Sequence, residues 1–404
     1  MNTPVQECQG GITAPQGFKS GGVYCGIRKA RKDLAMIVSV NPAATAAVFT
    51  LNKTQAAPIL VDKKQLEHSG LCSAVVINSG NANACTGERG LNDAWEMVRE
   101  TASALKIPAS QVMVSSTGVI GQYLPMDKVC TGIRDLAARL TIEGGRDAAE
   151  AIMTTDTTVK ESAVQFSLGA SVVTIGAMAK GSGMIAPNMA TMLAFVTTDA
   201  VISNSLLKQA LLKANQRSFN RITVDGDMST NDMVLVFANG QARNEEFGEH
   251  SEEFNLFCAG LEYVMIKLAK MIARDGEGAT KLIEVYVKGA GSEEEAARVA
   301  GSVANSNLVK TAIHGCDANW GRIMAAVGYS GADINPDLIE IAFNDLTVLR
   351  KHYDIVLDEE KAKKTLKQDS ILITIDLNQG NQSARFWTCD LTKEYVHINA
   401  SYRS

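Results

Sequence analysis

The order of apolar and polar positions predicts a chain in which strands and helices interleave. Short apolar runs at 36–40, 47–51 and 57–61, each closed by polar residues, predict strands, and 74–77 is continuous enough for a buried one. That last run leads into Asn78-Ser79-Gly80-Asn81-Ala82-Asn83-Ala84-Cys85-Thr86-Gly87, a loop of small amides and glycines. A helix is predicted from about Asp93, where Asp93 and Glu96 have capping-box spacing and Trp95, Val98, Ala102 and Leu105 share a face. A strand at 112–114 ends in Ser115-Ser116-Thr117-Gly118. Helices follow at roughly 126–140 and 144–153, then a hairpin over 163–179. Beyond it come a strand at 192–196, a helix at 204–216 and a strand at 233–237. The longest helix, 252–273, stops where Gly276 and Gly278 follow Arg274. A strand at 282–287, a helix at 293–304 and strands at 339–343, 371–375 and 384–389 complete the pattern. The alternation is too irregular for a doubly wound sheet, and the expectation is a mixed α/β fold with layered sheets.

Composition narrows this picture more than it extends it. A chain of 404 residues is long enough for two domains, or for one domain with a lobe. With 46% hydrophobic and 21% charged residues it is ordinary globular material. The net charge of −5 is small and no basic stripe runs through it, which argues against a nucleic-acid partner. Eight scattered cysteines without a C-x-x-C pair fit reduced thiols better than a zinc site or a disulfide framework. The first residues lack the basic and apolar regions of a secretory signal, and no apolar run approaches the ~18 residues of a membrane helix. A soluble, cytoplasmic protein with no membrane partner is expected.

The chemistry centres on one stretch, K-G-S-G-M-I-A-P-N-M-A-T-M-L (180–193). A cation followed by glycines suggests a phosphate cradle, but a P-loop places its lysine after the glycines at a helix start, whereas a strand follows here. Asp225-Gly226-Asp227 opens like a calcium loop, then has Thr230 and Val236 where glycine and glutamate are needed, and reads as a tight turn joining two strands. His314-Gly315-Cys316-Asp317 places His and Cys too close on one loop for a nucleophile and its base, so structural polar roles are expected. No metal-ligand spacing occurs among the five histidines, and no metal is expected.

Thr191 offers more. A threonine at the head of a strand is ordinarily a strand former. If the Ala190–Thr191 bond were broken, however, its α-amine, with a pKa of about 7.7–8.0, would lie beside its own hydroxyl as a ready general base. An N-terminal threonine is an effective acyl-transfer nucleophile. Thr117-Gly118, at a strand end, offers a hydroxyl and backbone N–H groups for an oxyanion, although an ordinary turn would look the same.

Motifs along nearly the whole chain resemble the ornithine acetyltransferase family of arginine biosynthesis. Besides 180–199 they include A-P-Q-G-F (14–18), G-I-R-K-A-R-K-D-L-A (26–35), N-S-G-N-A-N-A-C-T-G (78–87) and S-T-G-V-I-G (116–121). M-T-T-D-T (153–157), V-D-G-D-M-S-T-N-D (224–232), A-R-D-G-E-G-A-T-K (273–281), H-G-C-D-A-N-W-G-R (314–322) and I-N-A-S-Y-R-S (398–404) continue the series. Where His-Pro-Lys is expected after 157 the chain has Thr158-Val159-Lys160, and it ends in Ser404 where threonine is commoner.

The resemblance implies a layered α-β-β-α sandwich of the self-processing, N-terminal-nucleophile-like type. It implies cleavage into an N-terminal (alpha) chain, 1–190, and a C-terminal (beta) chain, 191–404, with 285–404 a smaller lobe. Thr191 is then the nucleophile, Thr117 and Gly118 the oxyanion hole, and Thr154, Lys180, Thr191, Glu277, Asn399 and Ser404 line the substrate site. The implied reaction is ping-pong transfer of acetyl from N-acetylornithine to glutamate, with acetyl-CoA as candidate co-substrate and no resident cofactor. A heterotetramer of two alpha and two beta chains is the implied assembly. A self-processing amidase or aminopeptidase, passing the acyl group to water, is the alternative.

Overall fold

The computed structural model describes residues 5–186 and 192–400, and its described residues form two compact units. The first comprises 5–181, 192–219 and 227–268; the second comprises 182–186, 220–226 and 269–400.

The first unit is built on a nine-stranded sheet. Its strands are β1 (Gln6–Glu7), β2 (Phe18–Val23), β3 (Leu34–Phe49), β4 (Leu71–Asn81), β5 (Val112–Val119), β6 (Lys160–Leu168), β7 (Ser171–Lys180), β8 (Leu193–Thr198) and β9 (Met233–Ala238). They run in the order β1-β6-β7-β8-β9-β3-β4-β5, with β2 also paired to β3. β3 is the hinge of the sheet. Its register against β4 shifts between Val38 and Ala43; its first part pairs with β2 and β4, Ala43 and Ala44 still meet the start of β4, and from Ala44 onward it pairs with β9. Exposed Pro42 lies within the irregular stretch, where proline's missing donor is tolerated. The two halves of the sheet face each other across a core holding Ile37, Val75, Ile77 and Met113 from one side and Met178, Phe195, Leu235 and Phe237 from the other.

Side chains one residue out of phase point outward. Leu34, Met36, Val76 and Val114 meet Met97 and Val98 of α2 (Gly87–Leu105) and Val129 and Ile133 of α3 (Met126–Ala137), with Ala57 and Val61 of α1 (Ala57–Ser69) in the same cluster. On the opposite outer face, Gly260 of α6 (Glu252–Arg274) lies against Phe166 and Ile175. Also in this unit are α4 (Gly145–Ala151) and α5 (Asn204–Arg217). The layers are helix, sheet, sheet, helix, as the resemblance implied. Each large apolar side chain buried in them contributes about 2 kcal/mol.

The second unit carries a six-stranded sheet. Its strands are β10 (Leu282–Ala290), β11 (Glu340–Phe343), β12 (Leu346–Arg350), β13 (Asp354–Ile355), β14 (Ser370–Asp376) and β15 (Gln382–Cys389), in the order β13-β12-β11-β14-β10-β15. α7 (Glu293–Asn305), α8 (Asn307–His314), α9 (Trp320–Gly328) and α10 (Glu359–Thr365) pack on it around Val285, Val299, Ile323 and Ile373. A last helix, α11 (Lys393–Ala400), ends the described chain.

Three sequence expectations are corrected. Residues 57–61 open α1 rather than forming a strand: Pro58 stands in the first turn, where its missing N–H costs nothing, and the β-branched run masked the helical period. α2 begins at Gly87, not near Asp93, which lies buried in mid-helix and caps nothing. The 36–40 and 47–51 runs belong to the single strand β3. Among the described residues no helix is long and apolar enough to cross a membrane.

Candidate active site

In the first unit the chemistry gathers where β5 and β7 end. β4 and β5 are parallel, with Gly80 beside Gly118. The backbones approach so closely that a Cβ on Gly118 would stand 2.3 Å from the carbonyl carbon of Gly80. Gly118 also holds φ +135°, so only glycine fits. The amide-rich loop supplies the scaffold: Asn78 accepts from the Ser116 hydroxyl at 2.6 Å and donates to the Asn81 carbonyl at 2.8 Å. From the other side Asn231 donates to the carbonyls of Ala82 and Ser116. Thr117 is thereby held on a stiff strand end, buried, with its hydroxyl 3.4 Å from the Lys180 ammonium at the end of β7.

Lys180 is surrounded by buried charge. Asp156 accepts from the Lys160 ammonium at 2.8 Å, from the Gly181 N–H at 2.7 Å and from the Thr154 N–H at 2.9 Å. Burial opposes ionisation of Asp156, but the Lys180 and Lys160 ammonium groups and the Gly181 N–H outweigh it and hold the carboxyl well below the usual range. Arg28 fixes the neighbouring backbone by donating to the carbonyls of Met153 and Thr154. Asp232, at the foot of β9, behaves oppositely. It is fully buried, among the described residues neither carboxyl oxygen makes a well-formed hydrogen bond, and burial pushes it well above the carboxylate range against the pull of the Met192 N–H and Lys180.

β7 and β8 are antiparallel, with Lys180 opposite Leu193. The strand that begins two residues after Thr191 is therefore the direct partner of the strand that ends in Lys180.

In the second unit a separate cluster surrounds Glu277. Its N–H donates to the Ser182 carbonyl at 2.9 Å, and the Ser182 hydroxyl returns a bond to the Asp275 carbonyl at 2.6 Å. Its carboxylate accepts from the Asn399 amide at 2.8 Å and lies over Gly183, where a Cβ would come within 2.3 Å of the carboxyl carbon. Glu277 is buried, yet among the described residues no ammonium or guanidinium lies within ion-pair distance of it. Buried carboxylates are ordinarily paired, so this one is complementary to a cation.

Asp225 is not the hairpin turn expected of it. Its carboxylate accepts the N–H groups of Met184 and Ile185 and the Tyr395 hydroxyl, and so fixes the backbone leading towards position 187. Val224 gives its carbonyl to the buried ammonium of Lys310, which also donates to Thr388.

Of the expected site residues, Thr117, Gly118, Lys180 and the Thr154 backbone meet in the first unit, and Glu277 and Asn399 meet in the second. Ala190, Thr191 and Ser404 lie outside the described residues. Sequence reasoning gave no role to Asp156, Lys160, Asn231 or Asp232, although the first and the last two sit inside quoted motifs. Their signal was a polar residue at a strand border, which is also what a solvated turn looks like. Among the described residues no group of three or more His, Cys, Asp or Glu is arranged to hold a metal ion.

The match to known proteins covers nearly the whole chain. The model of the ArgJ family matches residues 19–404. The arginine biosynthesis bifunctional protein ArgJ of Symbiobacterium thermophilum is 53% identical over 98% of this chain and 99% of its own. That of Bacillus subtilis is 48% identical over 98% and 97%. A crystal structure of ArgJ from Bacillus halodurans aligns with a TM-score of 0.51 at 49% identity, over 52% of this chain and 98% of the solved one. On these matches the chain belongs to the ArgJ family.

Proposed function

We propose that this acetyltransferase of arginine biosynthesis cuts itself at the Ala190–Thr191 bond and then uses Thr191 to carry an acetyl group from N-acetylornithine to glutamate. The observation that carries the reading is the β7–β8 register. The strand following Thr191 begins opposite Lys180, and Lys180 touches Thr117, the hydroxyl of the candidate oxyanion hole. That β7 and β8, from either side of the bond, pair within one sheet also explains how two cleaved chains stay together. The solved Bacillus halodurans chain, matched over 98% of its length by 52% of this one, has the length of one product of a mid-chain cut.

In the self-cleavage the Thr191 hydroxyl attacks the Ala190 carbonyl, the amide C–N bond breaks, and water hydrolyses the resulting ester. Ala190 leaves as a carboxylate and Thr191 keeps a free α-amine. In catalysis that amine takes the hydroxyl proton as the oxygen attacks the acetyl carbonyl. The oxyanion rests on the Thr117 hydroxyl and the Gly118 N–H, and the Lys180 ammonium beside Thr117 adds a cation in a dry setting. Ornithine departs with the proton, and the glutamate amine then attacks acetyl-Thr191 by the reverse sequence. Thr154 and Lys180 serve the substrate's α-amino-acid end. Glu277, held by Asn399 and with no cationic partner among the described residues, receives the ornithine side-chain amine, and Ser404 closes the site. Acetyl-CoA is a second donor, no resident cofactor is needed, and two alpha and two beta chains assemble in the cytoplasm.

Thr191→Ala tests this directly. The wild-type chain should run as two fragments on a denaturing gel, with a Thr191 N-terminus by mass spectrometry and glutamate-dependent acetyl transfer. The variant should remain intact and inactive. An active, uncut variant overturns the reading, and acetate release indifferent to glutamate makes the protein a hydrolase.

A further inference from the structure

The loop that carries Glu277 is held from a buried carboxylate to which neither the motif pattern nor the family match gives a role. Asp390 follows β15 directly, and its side chain is wholly buried. One of its oxygens accepts the N–H groups of Thr280 and Lys281, each at 2.8 Å. The other accepts the Thr280 hydroxyl at 2.6 Å and His314 Nδ1 at 2.9 Å. Four donors thus converge on one carboxylate, three of them from the residues just after Glu277.

The surrounding ties run the same way. The Lys281 ammonium donates to the Ile313 carbonyl at 2.7 Å, at the end of α8. The Thr392 hydroxyl donates to the Gly278 carbonyl at 2.8 Å, and Gly278 turns with φ +70° against the backbone of Tyr395. From Glu277 to Lys281 the loop therefore takes its position from residues 390–399 and from α8. Among the described residues the Glu277 carboxylate accepts from one amide and lies over a glycine. One hydrogen bond holds the carboxylate among the described residues, whereas four converge on the stem of its loop.

We infer that Asp390 is the positioning residue that aims Glu277 and thereby sets the enzyme's preference for acetyl donors with a cationic side chain. The inference rests on the role proposed above for Glu277. An ionised carboxylate can accept all four donors; an amide of the same shape keeps one acceptor oxygen and turns an NH2 towards the Thr280 hydroxyl and His314 Nδ1, which must reverse their roles and lose the charge-assisted bonds. Asp390→Asn therefore keeps the volume but loosens the loop.

The test uses the full self-cleaved enzyme and two donors, N-acetylornithine and N-acetylnorvaline, which differ only in the side-chain amine. The wild type should prefer N-acetylornithine. In Asp390→Asn that preference should fall about tenfold, the scale of one charge-assisted contact, through a higher KM for N-acetylornithine with kcat little changed. N-acetylnorvaline should be used nearly as before. Thr280→Val, which removes only the hydroxyl donor, should move the preference the same way by a smaller factor and keeps the result readable where Asp390→Asn folds poorly. An unchanged preference in both variants, or an equal loss for both donors, overturns the inference. A wild type without any preference removes the Glu277 reading, and this inference with it.

Discussion

Lys180 and Glu277 are both buried, but their charges are balanced by different means. Around Lys180 the first unit answers charge with charge: Asp156 lies between the Lys160 and Lys180 ammonium groups, and both side chains of the Asp156–Lys160 pair are fully covered. Around Glu277 the second unit answers charge with dipoles and space, an amide from Asn399 and the bare α-carbon of Gly183. A neutralised network is expensive to break because each partner removed strands another in low dielectric. A buried carboxylate with no cation beside it among the described residues is complementary to a positively charged group. The contrast separates a network that holds the protein up from a carboxylate that, on the proposed reading, meets a substrate.

The largest expected effect breaks the first arrangement. Asp156→Ala takes the shared carboxylate away from two buried ammonium groups and should cost about 3–5 kcal/mol in urea unfolding at neutral pH. The pH dependence has a definite sign. The folded-state value of Asp156 is lowered, so its contribution is present above the unfolded value of about 3.9 and is lost as pH falls towards the folded one. Wild type and variant should therefore converge in stability in acid. A constant gap down to pH 2 would place the cost of the substitution in packing rather than charge.

A second, smaller effect sharpens the other side of the comparison. In Gly183→Ala the new Cβ meets the end of a flexible side chain rather than backbone, so the fold survives and the Glu277 carboxylate moves. KM for N-acetylornithine should rise about tenfold, while the unfolding midpoint shifts little. A change in kcat alone, with KM untouched, would detach Gly183 from substrate binding.

These two regions also differ in how far they could be read beforehand. The β6–β7 hairpin, β8, β9 and the helices α3, α5, α6 and α7 follow from hydrophobic period and stop signals, because one buried face dictates the pattern. α1 was obscured because its β-branched opening resembles a strand until the chain beyond Pro58 is seen to turn. The short helices α8, α9 and α11 escaped because each carries too few residues for a period to show. Within the candidate site Thr117-Gly118 and Lys180 were named through the family resemblance, since a bare Thr-Gly turn reads as an ordinary turn, and the fold then brings Thr117 and Lys180 together. The site was illegible where a role depends on distant partners. Asp156, Asp225, Asp232 and Asp390 are all aspartates beside turns, and only the fold distinguishes the ion-paired one, the backbone clamp, the carboxyl raised by burial and the loop anchor.

The smallest effect is the most discriminating. Glu277→Gln removes a buried charge that has no cationic partner among the described residues, and glutamine retains an oxygen to accept from Asn399. Desolvation of the lost carboxylate and loss of its charge-assisted bond oppose one another. Stability should change by less than about 1 kcal/mol, with either sign. That near-silence stands against the several kcal/mol expected at Asp156, although both are buried acids in charged motifs. Measured in the same urea series, the pair gives a direct reading of the contrast: a loss at Glu277 as large as that at Asp156 would mean that Glu277 is paired within the protein, and its carboxylate would no longer be available to a substrate amine.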